Sequence, residues 1–163
     1  DLVRSRGLGD VYKRQGVNYY GVHAYTLINA AGAQQVIKFK MVPIGGEVSL
    51  TDDEAKAKPA DYLVQDLTDR LTSGKPSGFD MMAILARPGD ATNNATQLWA
   101  DEETRPLVKL GTLRIAALEK NETCDGTIFA PTTLADGIAG PKDDPLFEVR
   151  TPAYAISITN RAN

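Results

Sequence analysis

Cysteine, histidine and tryptophan each occur only once in this sequence of 163 residues. The single cysteine, Cys124, excludes an intrachain disulfide and a cluster of thiolate metal ligands. The single histidine, His23, excludes a histidine-rich metal site, and a Ser–His–Asp triad would need His23 as its base. The sequence also lacks any run of about 18 apolar residues, so it predicts no membrane-spanning helix.

A strong excess of either charge is also absent. The chain has 18 Lys and Arg residues and 21 Asp and Glu residues, a formal net charge of −3. Binding to the phosphates of a nucleic acid needs an excess of Lys and Arg, so nucleic acid is not expected as the main partner. The apolar fraction of 42% is ordinary for a globular domain.

The first fifteen residues, DLVRSRGLGDVYKRQ, show neither a helical nor a strand period. A basic arm or a disordered tail would account for their four basic side chains. The string also resembles the translated read-through of a sequencing adapter, and on that basis we interpret residues 1–15 as a non-native segment. Residues 16–163 are then the part that folds, and the natural protein is expected to begin upstream of Gly16.

Hydrophobic periodicity and turn residues predict an α+β fold with an antiparallel sheet. Four strands are predicted, over Tyr19–Asn29, Gln35–Val42, Phe79–Ala86 and Val108–Leu118. Helices are predicted after a capping box in which Thr51 or Asp52 is the cap, over Ala60–Ser73, and from the N-cap Asp144 to about Asn160. Because four strands cannot close a barrel, the sheet is expected to have further strands upstream.

The first two strands are expected to form a hairpin, since only a short turn separates them. The second strand has an apolar face and a face that carries two lysines; the two sets are Ile37, Phe39, Met41 and Val36, Lys38, Lys40. This alternation predicts a half-buried strand with one wet face.

Two arginines and a tyrosine share one stripe of the last predicted helix. Arg150 and Tyr154 are four residues apart, and Arg161 follows Tyr154 by two helical turns. An arginine against a phenol oxygen favours the phenolate, the form that binds ferric iron, and a second arginine could hold a carboxylate. Such pairs are common on helix surfaces, so spacing alone leaves an ordinary solvated helix face as the alternative.

Several longer stretches resemble the catalase superfamily, and most closely its short branch, the catalase-related peroxidases. The similarity covers nearly all of Gly16–Arg161, and the stretches that carry it are YYGVHAYTLINAAG (19–32), PADYLVQDLTDRL (59–71), ATQLW (95–99), LGTLRI (110–115) and FAPTTLADGIAGPKDDPLFEVRTPAY (129–154). The last stretch is the most specific, since it has the family's residue type at many positions without an insertion or deletion between them.

The resemblance implies the second half of a catalase-type antiparallel β-barrel core with a C-terminal haem-ligand helix. In that comparison Tyr154 matches the axial ligand of the haem iron, and Arg150 matches the arginine bonded to it. Arg161 matches an arginine associated with a haem propionate, and Asp144 matches an acid of the proximal hydrogen-bond network. The family's distal catalytic histidine and asparagine are expected upstream of this chain, which alone would then be inactive.

The implied activity is that of a haem-dependent peroxidase that reduces hydrogen peroxide or organic hydroperoxides in the response to oxidative stress. Two alternatives are a true catalase and a haem-binding domain without turnover. The implied partners are the peroxide and an unknown electron donor, with a homo-oligomer possible. The resemblance favours a periplasmic location for the longer protein, with the cytoplasm as the alternative.

The sequence departs from the family pattern at two positions. Lys40 stands in a strand where full-size catalases have a histidine, so any relay through that position is altered. Pro152 lies inside the last predicted helix, where it should remove the hydrogen bond to the carbonyl of Glu148 and bend the helix. His23 does not match the distal histidine, and it is expected near the surface or an edge of the sheet.

Overall fold

The computed structural model describes residues 16–75, 77–120, 123 and 130–161. The strands in this part of the chain are β1 (Tyr19–Tyr20), β2 (Tyr25–Ile28), β3 (Gln34–Pro43), β4 (Gly78–Leu85), β5 (Leu107–Arg114) and β6 (Ile138–Ala139). The helices are α1 (Asp52–Lys56), α2 (Tyr62–Thr72), α3 (Pro145–Glu148) and α4 (Arg150–Arg161). The expected α+β class is confirmed. No helix among the described residues is long and apolar enough to cross a membrane.

The strands form one sheet, in which the spatial order of the strands is β5-β4-β3-β2-β6, and β1 pairs with β3. β2 is antiparallel to both β3 and β6, with Tyr25 opposite Ile37 and Thr26 opposite Ala139. The predicted hairpin is therefore confirmed. The predicted first strand is divided into β1 and β2, because residues 21–24 lie outside the strands, although the Gly21 N–H still donates to the carbonyl of Phe39 in β3 at 2.7 Å.

The described residues divide into two compact units. The first contains Met41–Met81, Leu110–Leu118 and the described residues up to Tyr19. In this unit α1 begins at the predicted capping box, since the Glu54 N–H donates to the Thr51 hydroxyl and the Thr51 N–H donates to the Glu54 carboxylate. The Thr51 N–H and the Thr51 hydroxyl both donate to the Glu54 carboxylate, and these two bonds hold the pKa of Glu54 below its ordinary value.

The second unit contains Tyr20–Lys40, Met82–Lys109 and the described residues from Glu119 onwards. Its core is built around Ala24, Ile84 and Trp99. Val36, Ala86 and Leu107 pack against these three from neighbouring elements. The buried polar residues of this unit, which include Lys38, Glu102, His23 and Asp144, lie outside this apolar cluster.

The predicted wet face of β3 is wrong, because Lys38 and Lys40 are both buried. The Lys38 ammonium lies 3.0 Å from a carboxylate oxygen of Glu102 and 4.7 Å from the centre of the Trp99 ring. Lys40 lies over the ring of Tyr20 at 4.8 Å. A lysine in an alternating strand usually faces water, but here an acid and aromatic rings replace the water.

The Lys38–Glu102 pair gives a test of this arrangement. Lys38→Met should lower the free energy of unfolding by about 3–5 kcal/mol, because it leaves the Glu102 carboxylate buried without its partner. The double variant Lys38→Met, Glu102→Gln should recover most of that loss, since it removes both charges. Urea unfolding measures both, with the exposed Lys75→Met as control. Equal losses in the single and double variants would contradict the pairing.

Candidate functional site

The segment that carries the predicted site forms two helices where one was predicted. Asp144 is the N-cap of α3, as expected: its Oδ1 accepts from the backbone N–H groups of Leu146 at 3.0 Å and Phe147 at 3.3 Å. α3 ends at Glu148, and α4 begins at Arg150. Pro152 accounts for the interruption, because it has no N–H for the carbonyl of Glu148, and a proline ring inside a helix conflicts sterically with the carbonyl four residues earlier.

The other oxygen of Asp144 holds the single histidine of the chain. Oδ2 of Asp144 lies 2.8 Å from Nδ1 of His23, and both side chains are buried. The expectation that His23 lies near the surface is therefore wrong, because its side chain is only 4% exposed. With the carboxylate as acceptor, Nδ1 carries the proton, and the burial of each polar group is compensated by the other.

Phe147 fixes α3 against the strands of the second unit. Its ring meets the rings of His23 and Tyr25 edge to face, with centroids 5.2 and 5.7 Å apart. The ring also covers Gly140, where a Cβ would lie only 2.4 Å from the Cε1 atom of Phe147. Burial raises the pKa of Tyr25, and the positive charge of Arg150 acts in the opposite direction. The Arg150 side chain is thus close enough for its charge to reach this aromatic cluster.

Arg150 and Tyr154 meet as their spacing predicts. A terminal nitrogen of the Arg150 guanidinium donates to the phenol oxygen of Tyr154 at 2.9 Å. The guanidinium carbon lies 5.6 Å from the centre of the same ring. A positively charged donor at a phenol oxygen stabilises negative charge there, which is what a ligand of ferric iron needs.

Arg161 is the last residue of α4, and its side chain lies outside the described part of the structure. Its assignment to a haem propionate stays a prediction. The structure thus pairs Arg150 with Tyr154, and it places Asp144 at the N-cap of α3, where its carboxylate contacts His23 and backbone N–H groups. It adds His23 and Phe147, which sequence reasoning missed. His23 could not be placed from sequence, because its partner Asp144 is 121 residues away.

The packing of Phe147 on Gly140 gives a second test. Gly140→Ala should lower the free energy of unfolding by about 1–3 kcal/mol, because the new methyl group has to displace the ring that anchors α3. Gly45→Ala is the matched control, since no atom lies within 4 Å of its Cβ position. Thermal unfolding with a near-ultraviolet spectrum measures both. A Gly140→Ala protein as stable as the control would show that the ring does not anchor α3.

The sequence is similar to known proteins along almost its whole length. The family model described as Catalase matches residues 2–163. A catalase-related peroxidase of Synechococcus elongatus is 37% identical over 146 residues, which is 88% of this chain and 42% of that protein. One of Mycolicibacterium paratuberculosis is 32% identical over 145 residues, 88% of this chain and 45% of that protein. A catalase of Vibrio cholerae is 29% identical over 160 residues.

Solved catalases share the fold. A fungal catalase superposes with a TM-score of 0.77 at 17% identity, over 92% of this chain and 32% of that one. Catalase A of Saccharomyces cerevisiae gives 0.77 at 20% identity, over 91% and 32%. The present chain thus spans less than half the length of the proteins it matches. The match of the family model over nearly every residue shows that the chain belongs to the catalase family.

Proposed function

We propose that the protein to which this chain belongs is a haem-dependent oxidoreductase that acts on peroxides. The observation that carries the proposal is the Arg150–Tyr154 pair, in which a guanidinium donates to a phenol oxygen at 2.9 Å. The pair stands at the positions where the family resemblance expects the axial ligand and its arginine. Membership of the catalase family supports a reaction that consumes peroxide.

The donor chemistry of this chain fits a haem on the proximal side. Tyr154 would hold the iron through its phenol oxygen, and Arg150 would keep negative charge on that oxygen. Arg161 would contact a propionate. When bound, haem supplies a redox-active iron at which the peroxide bond is cleaved. The Asp144 carboxylate takes no part in this contact; it caps α3 and accepts from His23, and so fixes the segment from which Arg150 and Tyr154 extend.

Reduction of hydroperoxides by an electron donor is the preferred reaction. Two relatives named catalase-related peroxidase are 37% and 32% identical to this chain, whereas catalase isozyme 2 of Ricinus communis and a catalase of Vibrio cholerae are 31% and 29% identical, so the first of these relatives supports the preference. Dismutation of hydrogen peroxide and haem binding without turnover are the alternatives. Peroxide cleavage needs a general acid–base on the open face of the iron. The only histidine here is paired with Asp144, so we place that group elsewhere in the longer protein. The periplasmic location and the homo-oligomer stay predictions.

The ligand role is tested with Tyr154→Phe in the full-length protein, produced with haem supplied. Removing the phenol oxygen removes the iron ligand, so the variant should lose the high-spin ferric absorption spectrum of the wild type and most of its bound haem. Tyr62→Phe on α2 is the control and should keep both. If Tyr154→Phe keeps the wild-type spectrum, Tyr154 is not the ligand and the proposal fails.

The reaction type is tested by following oxygen release and peroxide consumption together. With hydrogen peroxide alone, a peroxidase should release little oxygen. Oxygen forms only when a second peroxide molecule serves as the electron donor, and that reaction is dismutation. Adding an oxidisable phenol should raise the rate of peroxide consumption and produce oxidised phenol. Rapid oxygen release that the phenol does not change would favour the catalase alternative. Consumption no faster than with free haem would favour a binding domain.

A further inference from the structure

We propose that Pro152 is a positioning residue for the axial tyrosine, an inference that rests on the proposed haem site. Pro152 separates α4 from α3, so that Tyr154 is oriented independently of the anchored helix before it. Pro152 lies two residues before Tyr154 and two after Arg150. It touches neither the iron nor the substrate in this proposal, and it acts through the backbone of the residues on either side.

The backbone shows where the two helices separate. The Val149 N–H donates to the carbonyl of Pro145, and the Val149 carbonyl accepts from the N–H of Ala153. Val149 is thus the C-cap of α3, and its carbonyl is the first acceptor of α4. Pro152 provides no N–H for the carbonyl of Glu148, so the helical ladder cannot run unbroken through this point. Because Pro152 lies in the first turn of α4, where an N–H has no partner within the helix, α4 itself loses nothing.

The helical register shows why separation matters for Tyr154. Phe147 and Tyr154 are seven residues apart, so an unbroken helix would place them on nearly the same face. Phe147 is buried, and its position is set by His23, Tyr25 and Gly140. In an unbroken helix the direction of Tyr154 would follow from the packing of Phe147. The missing hydrogen bond at the carbonyl of Glu148 weakens this restraint, although Val149 keeps a helical conformation with φ −75° and ψ −9°.

The two helices also have separate attachments. α3 is held by the bond between Asp144 and His23 and by the ring of Phe147. α4 is held near its start by a hydrogen bond between the hydroxyls of Thr151 and Thr132. An independent attachment on each side of the break is what two separately positioned helices require.

Replacing Pro152 in the full-length protein tests the proposal. Pro152→Ala restores the missing N–H and favours an unbroken helix, whereas Pro152→Gly restores the N–H but disfavours the helix. We expect Pro152→Ala to weaken haem binding by roughly 10- to 100-fold, the usual cost of disturbing a group that orients a metal ligand. Pro152→Gly should lie between Pro152→Ala and the wild type. Transfer of haem to an acceptor apoprotein measures the affinity, and the ferric absorption spectrum reports the ligand geometry.

Pro145→Ala is the matched control, because it removes a proline from the first position of α3 and should change haem affinity by no more than about twofold. If Pro152 has only a structural role, the expected result is different, since Ala strengthens a helix. Pro152→Ala would then raise the unfolding temperature above that of the wild type and leave the ferric absorption spectrum unchanged. Equal haem affinity and equal spectra in the wild type, Pro152→Gly and Pro152→Ala would overturn the proposal. If Pro152→Ala does not fold, the comparison of Pro152→Gly with the wild type decides the question.

The Tyr154 and Pro152 variants together separate an error in the haem site from an error in the role of Pro152. If Tyr154→Phe keeps the wild-type spectrum, the haem site itself is wrong. If Tyr154→Phe loses the spectrum and both Pro152 variants keep it, the haem site stands and only the role of Pro152 is wrong.

Discussion

The buried contact between His23 and Asp144 is the interaction on which the site depends. A carboxylate without a partner in this position would carry a large desolvation cost, and a buried imidazole would leave a ring nitrogen unsatisfied. Asp144 avoids both costs, because one oxygen caps α3 and the other accepts from His23. One side chain therefore joins a loop between two strands to the start of the helical segment that carries Arg150 and Tyr154.

From that anchor the chain builds the site in two steps. α3 is fixed, with Phe147 packed into the aromatic cluster and over Gly140. α4 then begins afresh after Val149 and carries Tyr154, whose oxygen is held by Arg150. In this arrangement α3 is packed firmly and holds the start of α4 in place. The direction of the Tyr154 side chain on α4 then depends on few contacts.

The contacts that the sequence predicts join residues close together in the chain, and the contacts that it does not predict join residues far apart in the chain. The capping box at Thr51, the N-cap at Asp144 and the Arg150–Tyr154 contact depend on residues at most four positions apart, and all are confirmed. The buried state of His23 and Lys38 depends on acids 121 and 64 residues away, and both were predicted at the surface. A charged or polar residue in a strand reads as exposed until its partner is known, so these errors follow from missing tertiary information. The roles toward haem came from the family resemblance and could not follow from spacing alone.

The central claim is that the Tyr154 oxygen binds haem iron as a phenolate. Resonance Raman spectroscopy of the full-length ferric protein, excited in the tyrosinate-to-iron charge-transfer band, tests it directly when the protein is produced with ring-deuterated tyrosine. The account predicts phenolate ring vibrations that shift on deuteration and that disappear in Tyr154→Phe. A wild-type spectrum with haem vibrations alone, unchanged by deuterated tyrosine, would contradict it.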